Sequence, residues 1–262
     1  MKAGFYQFAP RFGDMKYNLQ KVIDAAAPVE TDLLVLPELF NTGYQFTSKE
    51  EAKSLSEKIP SGDTANTLIK LSAKKKVYIA AGIAEYSEGK IYNSAVLTGP
   101  DGLIGVYRKI HLFYEEKLWF SPGDTGFKVW QTPLGNIGIM ICFDWFFPES
   151  ARTLAFRGAD VIAHPSNLIL PHCPDAMVTR CIENKVFTVT ANRTGSEQRG
   201  DKEKLMFIGK SQITSPKGEI LYRASGDREE LTVIEIAVEK ARDKNLNSMN
   251  NLFSDRKKEF YE

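Results

Sequence analysis

The stretch GIMICFDWFFPES, residues 138–150, changes from apolar to polar at a cysteine. The apolar residues before Cys142 are typical of a strand buried on both faces. Pro148, Glu149 and the later Gly158 predict a helix over residues 148–158. A tight turn between the two would expose its side chain and direct helix N–H groups toward an anion. The pattern makes Cys142 a candidate nucleophile, and a buried structural cysteine is the alternative.

The rest of the chain continues this alternation of apolar runs and amphipathic segments. We predict strands over residues 2–10, 31–40, 77–86, 90–109, 134–142, 159–167, 186–195, 207–224 and 230–236, some of them paired as hairpins. Further helices are predicted over residues 18–27, 64–76 and 174–185. Mixed βα units and hairpins suit an α/β fold with helices on the outer faces of buried sheets. Because no linker or repeat interrupts the pattern, residues 1–262 are expected to form a single domain.

Composition excludes several classes of protein. Apolar residues make up 43% and charged residues 26% of the chain, which is the balance of an ordinary globular domain. A net charge of +1 gives no reason to expect nucleic acid or an anionic membrane as partner. No apolar run is long enough to cross a membrane, and the N-terminus does not read as a secretory signal. Three cysteines, an odd number, argue against a disulfide framework and favour a reducing, cytoplasmic setting.

Two other predicted strand ends carry side chains that could take part in a reaction. Glu38 follows an apolar run directly after Pro37, and Lys109 lies between apolar neighbours in GVYRKIHLF. A solvated loop acid and a lysine that reaches solvent are the plain alternatives. Together with Cys142, however, the two residues would form an acyl-transfer site. The carboxylate would take the thiol proton and later activate water, and the lysine would stabilise a tetrahedral oxyanion.

These residues and their neighbours resemble the nitrilase superfamily of carbon–nitrogen hydrolases. The resemblance is carried by LLVLPELFNTGY (33–44), YRKIHLFYEEKLWFSPGD (107–124) and GIMICFDWFFPESAR (138–152), with further agreement over residues 93–109 and 180–195. The motifs occur in the order glutamate, lysine, cysteine and cover nearly the whole chain.

The resemblance implies a role for each of four residues. Glu38 would be the general base, Lys109 the oxyanion-stabilising lysine and Cys142 the nucleophile. Glu116 matches the second glutamate that lies beside the lysine in this family, with Glu115 as its immediate neighbour. The resemblance also implies an α-β-β-α four-layer sandwich, pairing of two such units through helices as a homodimer or larger oligomer, and neither metal nor organic cofactor.

Candidate substrate contacts are less constrained by the sequence. The backbone N–H of Phe143 could join Lys109 as an oxyanion donor. Trp145, with the two phenylalanines that follow it, could form an aromatic pocket wall or pack in the core. Asn167 follows a strand end and could bind substrate. Arg180 could bind a carboxylate, but an ion pair with Glu183 one helical turn later is the simpler expectation.

The remaining cysteines and histidines offer two competing kinds of site. Cys173 could line the pocket or be inert, and Cys181 is expected in the core. A Cys–His hydrolase would need His111, His164 or His172, and His164 lies in an apolar strand, where a structural role is expected. His172 and the cysteines around it lack zinc-site spacing.

The function expected from the sequence is hydrolysis of a non-peptide C–N bond in a small amide, through a Cys142 thioester and with release of ammonia. Nitrile hydrolysis and hydrolysis of an N-carbamoyl amine use the same three residues and remain open. A non-catalytic binding protein on the same fold is the alternative of another class, and it would lack a reactive Cys142.

Overall fold

The computed structural model describes residues 1–261. Its strands in chain order are β1 (Lys2–Gln7), β2 (Leu33–Val35), β3 (Tyr78–Ser87), β4 (Lys90–Gly99), β5 (Gly102–Arg108), β6 (Val129–Thr132), β7 (Gly135–Ile139), β8 (Val161–Pro165), β9 (Phe187–Ala191), β10 (Ser196–Glu197), β11 (Leu205–Met206), β12 (Gln212–Thr214), β13 (Ile220–Arg223) and β14 (Glu230–Glu235). The α-helices are α1 (Met15–Ala26), α2 (Lys49–Ser54), α3 (Asp63–Lys75), α4 (Glu116–Trp119), α5 (Pro148–Phe156) and α6 (Cys173–Asn184). Short 3₁₀ helices cover Cys142–Phe146, Val238–Ala241 and Lys258–Phe260.

The strands form two large sheets of six. The first has the order β14-β1-β2-β3-β4-β5, and the second β13-β12-β9-β8-β7-β6. In each sheet three central neighbours run parallel, β1-β2-β3 and β7-β8-β9, and the outer pairs are antiparallel. The carboxyl ends of the parallel strands therefore lie along one edge of each sheet, the usual place for functional side chains in such sheets.

The two sheets pack face to face between two layers of helices. Leu33 and Val35 of β2 lie in the same apolar cluster as Ile139 of β7, whereas Leu34 and Leu36 pack with the inner faces of α1 and α3. On the opposite side, α5 and α6 cover the second sheet. The predicted α-β-β-α four-layer sandwich is confirmed, and a strand buried on both faces explains the continuous apolar run at residues 33–36.

Several boundaries differ from the prediction. The strand predicted over residues 31–40 is regular only in β2, because Pro37 has no N–H to donate to a neighbouring strand. Helices α2 and α4 were not predicted, since each is too short to show a helical repeat of apolar residues. None of the helices within residues 1–261 is both long enough and apolar enough to cross a membrane.

Candidate active site

The turn that carries Cys142 begins where β7 ends. The chain leaves the sheet after Ile139 and enters a 3₁₀ helix at Cys142, whose φ is +40°. A residue other than glycine rarely adopts this left-handed backbone, so its surroundings must hold it there. Only 6% of Cys142 is exposed. The predicted tight turn at this cysteine is confirmed, but the predicted exposure of its side chain is wrong, because the turn is packed into the core. The 3₁₀ helix separates the turn from α5.

The buried carboxylate of Asp144 organises this turn. It accepts hydrogen bonds from the Ile141 backbone N–H at 2.9 Å, the Tyr107 hydroxyl at 2.7 Å and, at 2.7 Å, Nδ1 of His111. A buried carboxylate needs such partners to replace its hydration. His111 also stacks on Phe147 with ring centroids 3.8 Å apart. The His111 ring therefore holds Asp144, and with it the turn, in place.

His164 supports the same turn from the neighbouring strand β8. Its Nε2 lies 3.0 Å from the carbonyl oxygen of Cys142, and its Nδ1 lies 3.1 Å from the hydroxyl of Thr190. Burial lowers the pKa of His164 to about 4, so the ring is neutral near pH 7. The expected structural role of His164 is confirmed. His172, the third histidine, is exposed before α6.

Glu38 is positioned by close backbone packing against β3. The N–H of Gly82 donates to the carbonyl of Pro37 at 3.2 Å, and a Cβ at Gly82 would lie 2.4 Å from the Cα of Glu38. Only glycine permits this approach. From the other sheet, Asn167 Nδ2 donates to the backbone carbonyl of Glu38 at 2.8 Å. The carboxyl ends of β2 and β8 are thereby joined.

Lys109 is held just after β5 by its own backbone. Its N–H donates to the carbonyl of Asn93 at 2.8 Å, and its carbonyl accepts from Gly123 at 2.9 Å. A Cβ at Gly123 would lie 2.0 Å from the carbonyl oxygen of Arg108, so this loop also requires glycine. The lysine side chain is completely buried, and it does not reach solvent.

Two carboxylates surround the Lys109 ammonium. Its Nζ lies 2.6 Å from Oε1 of Glu38 and 2.8 Å from both carboxylate oxygens of Glu116. Asn93 Nδ2 donates to Glu38 Oε1 at 2.7 Å, and the Tyr44 hydroxyl donates to Glu116 Oε1 at 2.7 Å. Oε2 of Glu38 is buried and has no hydrogen-bond partner within residues 1–261. That oxygen is available to accept a proton.

Two carboxylates share one ammonium in this cluster, and burial together with this charge ratio shifts the pKa values of the site. Burial raises the pKa of Glu38 to about 7; Lys109 opposes the shift and Glu116 adds to it. Burial by itself would lower the pKa of Lys109, but the carboxylates of Glu116 and Glu38 raise it above its usual range. Burial and the nearby Glu38 charge raise the pKa of Cys142 well above that of a free thiol. Near pH 7 the lysine is charged, the cysteine is a thiol and Glu38 lies near its midpoint.

A cavity of about 240 Å³ adjoins this cluster, and Glu116 and Tyr44 form part of its wall. The other lining residues are Gln45, Phe113, Tyr114, Glu115, Trp119, Ile169, Lys202, Glu203 and Leu205. The last three lie in or beside the small hairpin of β10 and β11. Of the four predicted catalytic residues only Glu116 lines this cavity, and Glu38, Lys109 and Cys142 are not part of its wall. A buried reactive cluster next to a cavity is a usual arrangement of an enzyme site.

Comparison with known proteins identifies the family. The carbon-nitrogen hydrolase family model matches residues 2–245. This chain belongs to the carbon–nitrogen hydrolase family. The hydrolase is 51% identical to a nitrilase of Pyrococcus abyssi (strain GE5 / Orsay) over 264 residues, which cover 100% of this chain and 99% of that protein. It is 36% identical to an (R)-stereoselective amidase of Pseudomonas sp, over 87% of this chain and 82% of the amidase.

A solved structure shows the same fold. The crystal structure of a carbon-nitrogen hydrolase from Helicobacter pylori G27 has a TM-score of 0.90 and 28% identity to this hydrolase, and the match covers 100% of this chain and 97% of that one. The resemblance to the nitrilase superfamily that the sequence motifs carry is confirmed.

The three predicted substrate contacts, Phe143, Trp145 and Asn167, lie in different surroundings. Phe143 stands directly after Cys142 and packs edge-on against Phe113 of the cavity wall, with centroids 5.0 Å apart. Trp145 is 7% exposed and packs in the core between the sheets and helices, which is the second of the two roles that the sequence left open for it. Asn167 is buried beside Glu38, and its Oδ1 has no hydrogen-bond partner within residues 1–261.

The other predicted roles fall outside the cavity wall. Arg180 Nη1 pairs with Glu183 at 3.1 Å, which confirms the expected helical ion pair, and its Nε donates to the carbonyl of Trp145 at 3.3 Å. Cys173 and Cys181 are both completely buried in α6. Cys181 is in the core as predicted, and of the two roles open for Cys173 the structure supports the inert one.

Sequence reasoning missed Tyr44, Asn93 and Asp144. Asn93 is a buried amide in the middle of the apolar strand β4, and a polar residue within such a run is a detectable signal. Tyr44 ends the NTGY segment that follows Glu38, but nothing in the sequence indicates that its hydroxyl bonds Glu116. Asp144 lies two residues after Cys142, and the four hydrogen bonds that its carboxylate makes with three residues become visible only in the fold.

Proposed function

We propose that the hydrolase cleaves the C–N bond of a small amide through a thioester on Cys142. The buried ion cluster supports this proposal more than any other observation. Lys109 neutralises only one of the two carboxylates at 2.6–2.8 Å, which leaves Glu38 with a free oxygen and a pKa of about 7. A general base is most effective when its pKa lies near the working pH.

The proposed reaction has two halves. Glu38 takes the Cys142 proton while the sulfur attacks the carbonyl carbon, and Lys109 with the Phe143 N–H stabilises the oxyanion. Protonated Glu38 gives its proton to the leaving nitrogen as the C–N bond breaks, which yields ammonia and a thioester. Glu38 then removes a proton from water, whose oxygen attacks the thioester. The carboxylic acid leaves and the proton returns to the thiolate.

Glu116 and Asn93 have positioning roles in this scheme. Lys109 carries three N–H groups, and a forked bond to Glu116 with a single bond to Glu38 leaves one of them for the oxyanion. Asn93 holds Glu38 Oε1 and thereby orients Oε2. The two carboxylates are thus expected to differ in function, with Glu38 moving protons and Glu116 fixing the ammonium.

Nitrile hydrolysis is the second candidate function. The observation that favours it is the 51% identity over the whole chain to a protein named a nitrilase. The same cysteine would add to the nitrile carbon, and the route to the acid would pass through a thioimidate and need a second water. The amide reaction needs fewer steps from the same four residues.

Ammonia release from matched substrates tests the proposal. Butanamide, butyronitrile and propylurea present an amide, a nitrile and a carbamoyl amine on similar chains. We expect butanamide to be hydrolysed, with an acyl adduct on Cys142 detectable by mass spectrometry. Cys142→Ala should abolish turnover, while Cys173→Ala should retain it because that thiol is buried in α6 and Glu38 and Lys109 are not among the charges that act on it. Substantial activity of Cys142→Ala, or a nitrile rate far above the amide rate, contradicts the amide proposal.

We also propose that the hydrolase is a homodimer or larger homo-oligomer in the cytoplasm. Phe156 on α5 and Ile182 on α6 are 41% and 48% exposed, and Phe253 of the C-terminal tail packs 4.6 Å from the Phe156 ring. An apolar surface on helices and tail is typical of a subunit interface. The three free cysteines are compatible with a reducing compartment.

A further inference from the structure

The cavity next to Glu116 carries an excess of negative charge. Three of its lining residues are glutamates, Glu115, Glu116 and Glu203, and one is a lysine, Lys202. Lys202 Nζ lies 2.6 Å from the carboxylate of Glu115 and 2.8 Å from the carbonyl oxygen of Phe46. The one cation of the wall is therefore already neutralised.

Two arginines beside the cavity are matched by carboxylates of their own. Arg199 pairs with Glu51 at 2.7 Å, and the buried Arg193 pairs with Glu197. Lys109 is shared by two carboxylates. Glu203 alone of the three wall glutamates has no ion-pair partner within residues 1–261, and it is exposed next to the exposed Lys204. The unbalanced negative charge that a ligand meets therefore lies mainly at the reactive cluster, and the exposed Glu203 adds a weaker, solvent-screened charge.

Uncharged groups of the cavity wall also favour a ligand that donates hydrogen bonds. Gln45 is 5% exposed, its Nε2 donates to the backbone carbonyl of Glu203 at 2.8 Å, and its Oε1 has no partner among the described residues. A buried carbonyl oxygen without a partner costs free energy unless a ligand or water donates to it. The Trp119 ring already lies 4.8 Å from the Lys202 ammonium, so this aromatic face accommodates a cation.

From this charge balance we propose that the substrate is a small amide whose far end carries an ammonium group. The inference rests on the proposed amide hydrolysis and specifies its substrate class. The cavity is small, at about 240 Å³, so we expect the chain between amide and ammonium to be short. The amide lies at Lys109 and Cys142, and the ammonium lies toward Gln45 and Glu203. A carboxylate at that end meets like charge.

Three amides of similar length separate this inference from the proposed function. They are 4-aminobutanamide with an ammonium end, pentanamide with a neutral methyl end, and succinamate with a carboxylate end. We expect kcat/KM for 4-aminobutanamide to exceed that for pentanamide by roughly tenfold, the size of effect expected from one charged hydrogen bond. Succinamate should be the poorest of the three, and the difference should appear mainly in KM.

Variants of the wall identify the groups responsible. Glu203→Gln should lower the ratio of kcat/KM for 4-aminobutanamide to kcat/KM for pentanamide severalfold. Glu239→Gln, an exposed glutamate in the 3₁₀ helix Val238–Ala241, is the matched control and should change neither. Lys202→Met should improve 4-aminobutanamide relative to succinamate, because it removes the only cation of the wall.

The results separate a failure of the ammonium inference from a failure of the proposed amide hydrolysis. If pentanamide or succinamate is the best substrate, or if Glu203→Gln leaves the preference for 4-aminobutanamide unchanged, the ammonium inference is wrong and the amide mechanism stands. If none of the three amides releases ammonia and butanamide is also inert, the proposed amide hydrolysis itself fails.

Discussion

Glu38 and Cys142 are both buried, and burial disfavours the ionised form of each side chain. Burial raises the pKa of the thiol, and the same burial raises the pKa of Glu38 to about 7. A thiolate formed by loss of its proton to bulk water would be costly beside the ionised Glu38. A proton that moves from the sulfur to Glu38 keeps the total charge of the cluster constant. The geometry therefore favours proton transfer within the site over a permanently ionised cysteine.

The pH dependence of the reaction should report Glu38. Only ionised Glu38 can take the thiol proton, and protonated Glu38 predominates below its pKa of about 7. We expect kcat/KM to rise with pH up to about pH 7 and then to level, in a pH–rate profile of butanamide hydrolysis. A rising limb centred near pH 4.5 contradicts this assignment. Glu38→Gln, which keeps the shape, should form no acyl adduct on Cys142 in a single turnover.

His164 should make the fold sensitive to acid. Its pKa is about 4 in the folded protein and about 6.5 when unfolded, so the unfolded state binds the additional proton between these values. The His164 contribution to stability therefore falls by about 2 kcal/mol between pH 7.5 and pH 5. Glu38, whose pKa is raised to about 7, contributes in the opposite direction over the same range. Urea unfolding of the parent and of His164→Gln at the two pH values isolates the His164 contribution: the variant should lose less stability on acidification than the parent, and equal pH responses would contradict the prediction.

At the scale of elements, the hairpin of β10 and β11 is connected to the reactive cluster. Glu197 of β10 accepts hydrogen bonds from the backbone N–H groups of Tyr44 at 3.0 Å and Gln45 at 2.7 Å, and it pairs with the buried Arg193. The Tyr44 hydroxyl in turn donates to Glu116. One segment thus joins the cavity wall to the carboxylate that fixes Lys109.

Tyr44→Phe tests this connection. The change keeps the ring and removes one hydrogen bond to Glu116, a bond to a charged group worth about 1.5–3 kcal/mol. We expect kcat to fall roughly 10- to 100-fold and the urea midpoint to fall as well, because the buried Glu116 loses one of its partners. Tyr86→Phe is the control, because the Tyr86 hydroxyl makes no hydrogen bond within residues 1–261 and should leave kcat unchanged. Equal rates for the two variants would mean that Glu116 is held without Tyr44.

The sequence could predict elements whose signal is local. The apolar run before Cys142, the proline at the start of α5 and the Gly-bounded hairpins depend on nearby residues, and each was found close to its predicted bounds. Glu38, Lys109 and Cys142 could be assigned because their motifs resemble a family. Tyr44 and Asp144 could not, since their partners lie 72 and 37 residues away and only the packed sheets bring them together. The role of Trp145 could not be chosen from the sequence, because an aromatic residue beside a reactive turn suits a pocket wall and a core equally.

At the scale of the whole molecule, α5, α6 and the C-terminal tail leave apolar side chains on one surface. We expect Phe156→Asp to shift the protein toward monomer in multi-angle light scattering at micromolar concentration, because a charge there opposes burial against a second copy. Ile220→Asp, a similar change at another exposed position on β13, should leave the mass unchanged. A monomeric parent protein would contradict the proposed assembly directly.

The pairing of β1 with β14 has a consequence for synthesis on the ribosome. Lys2 of β1 lies opposite Glu235 of β14, so the first sheet cannot be completed until the chain is nearly finished. At about 5–20 residues per second, the edge of β1 waits roughly 10–50 s for its neighbour. During that time its N–H and C=O groups are open to pairing with other nascent chains. The hydrolase should therefore benefit from chaperone cover while it is made, and shortened chains that stop before Glu230 should aggregate.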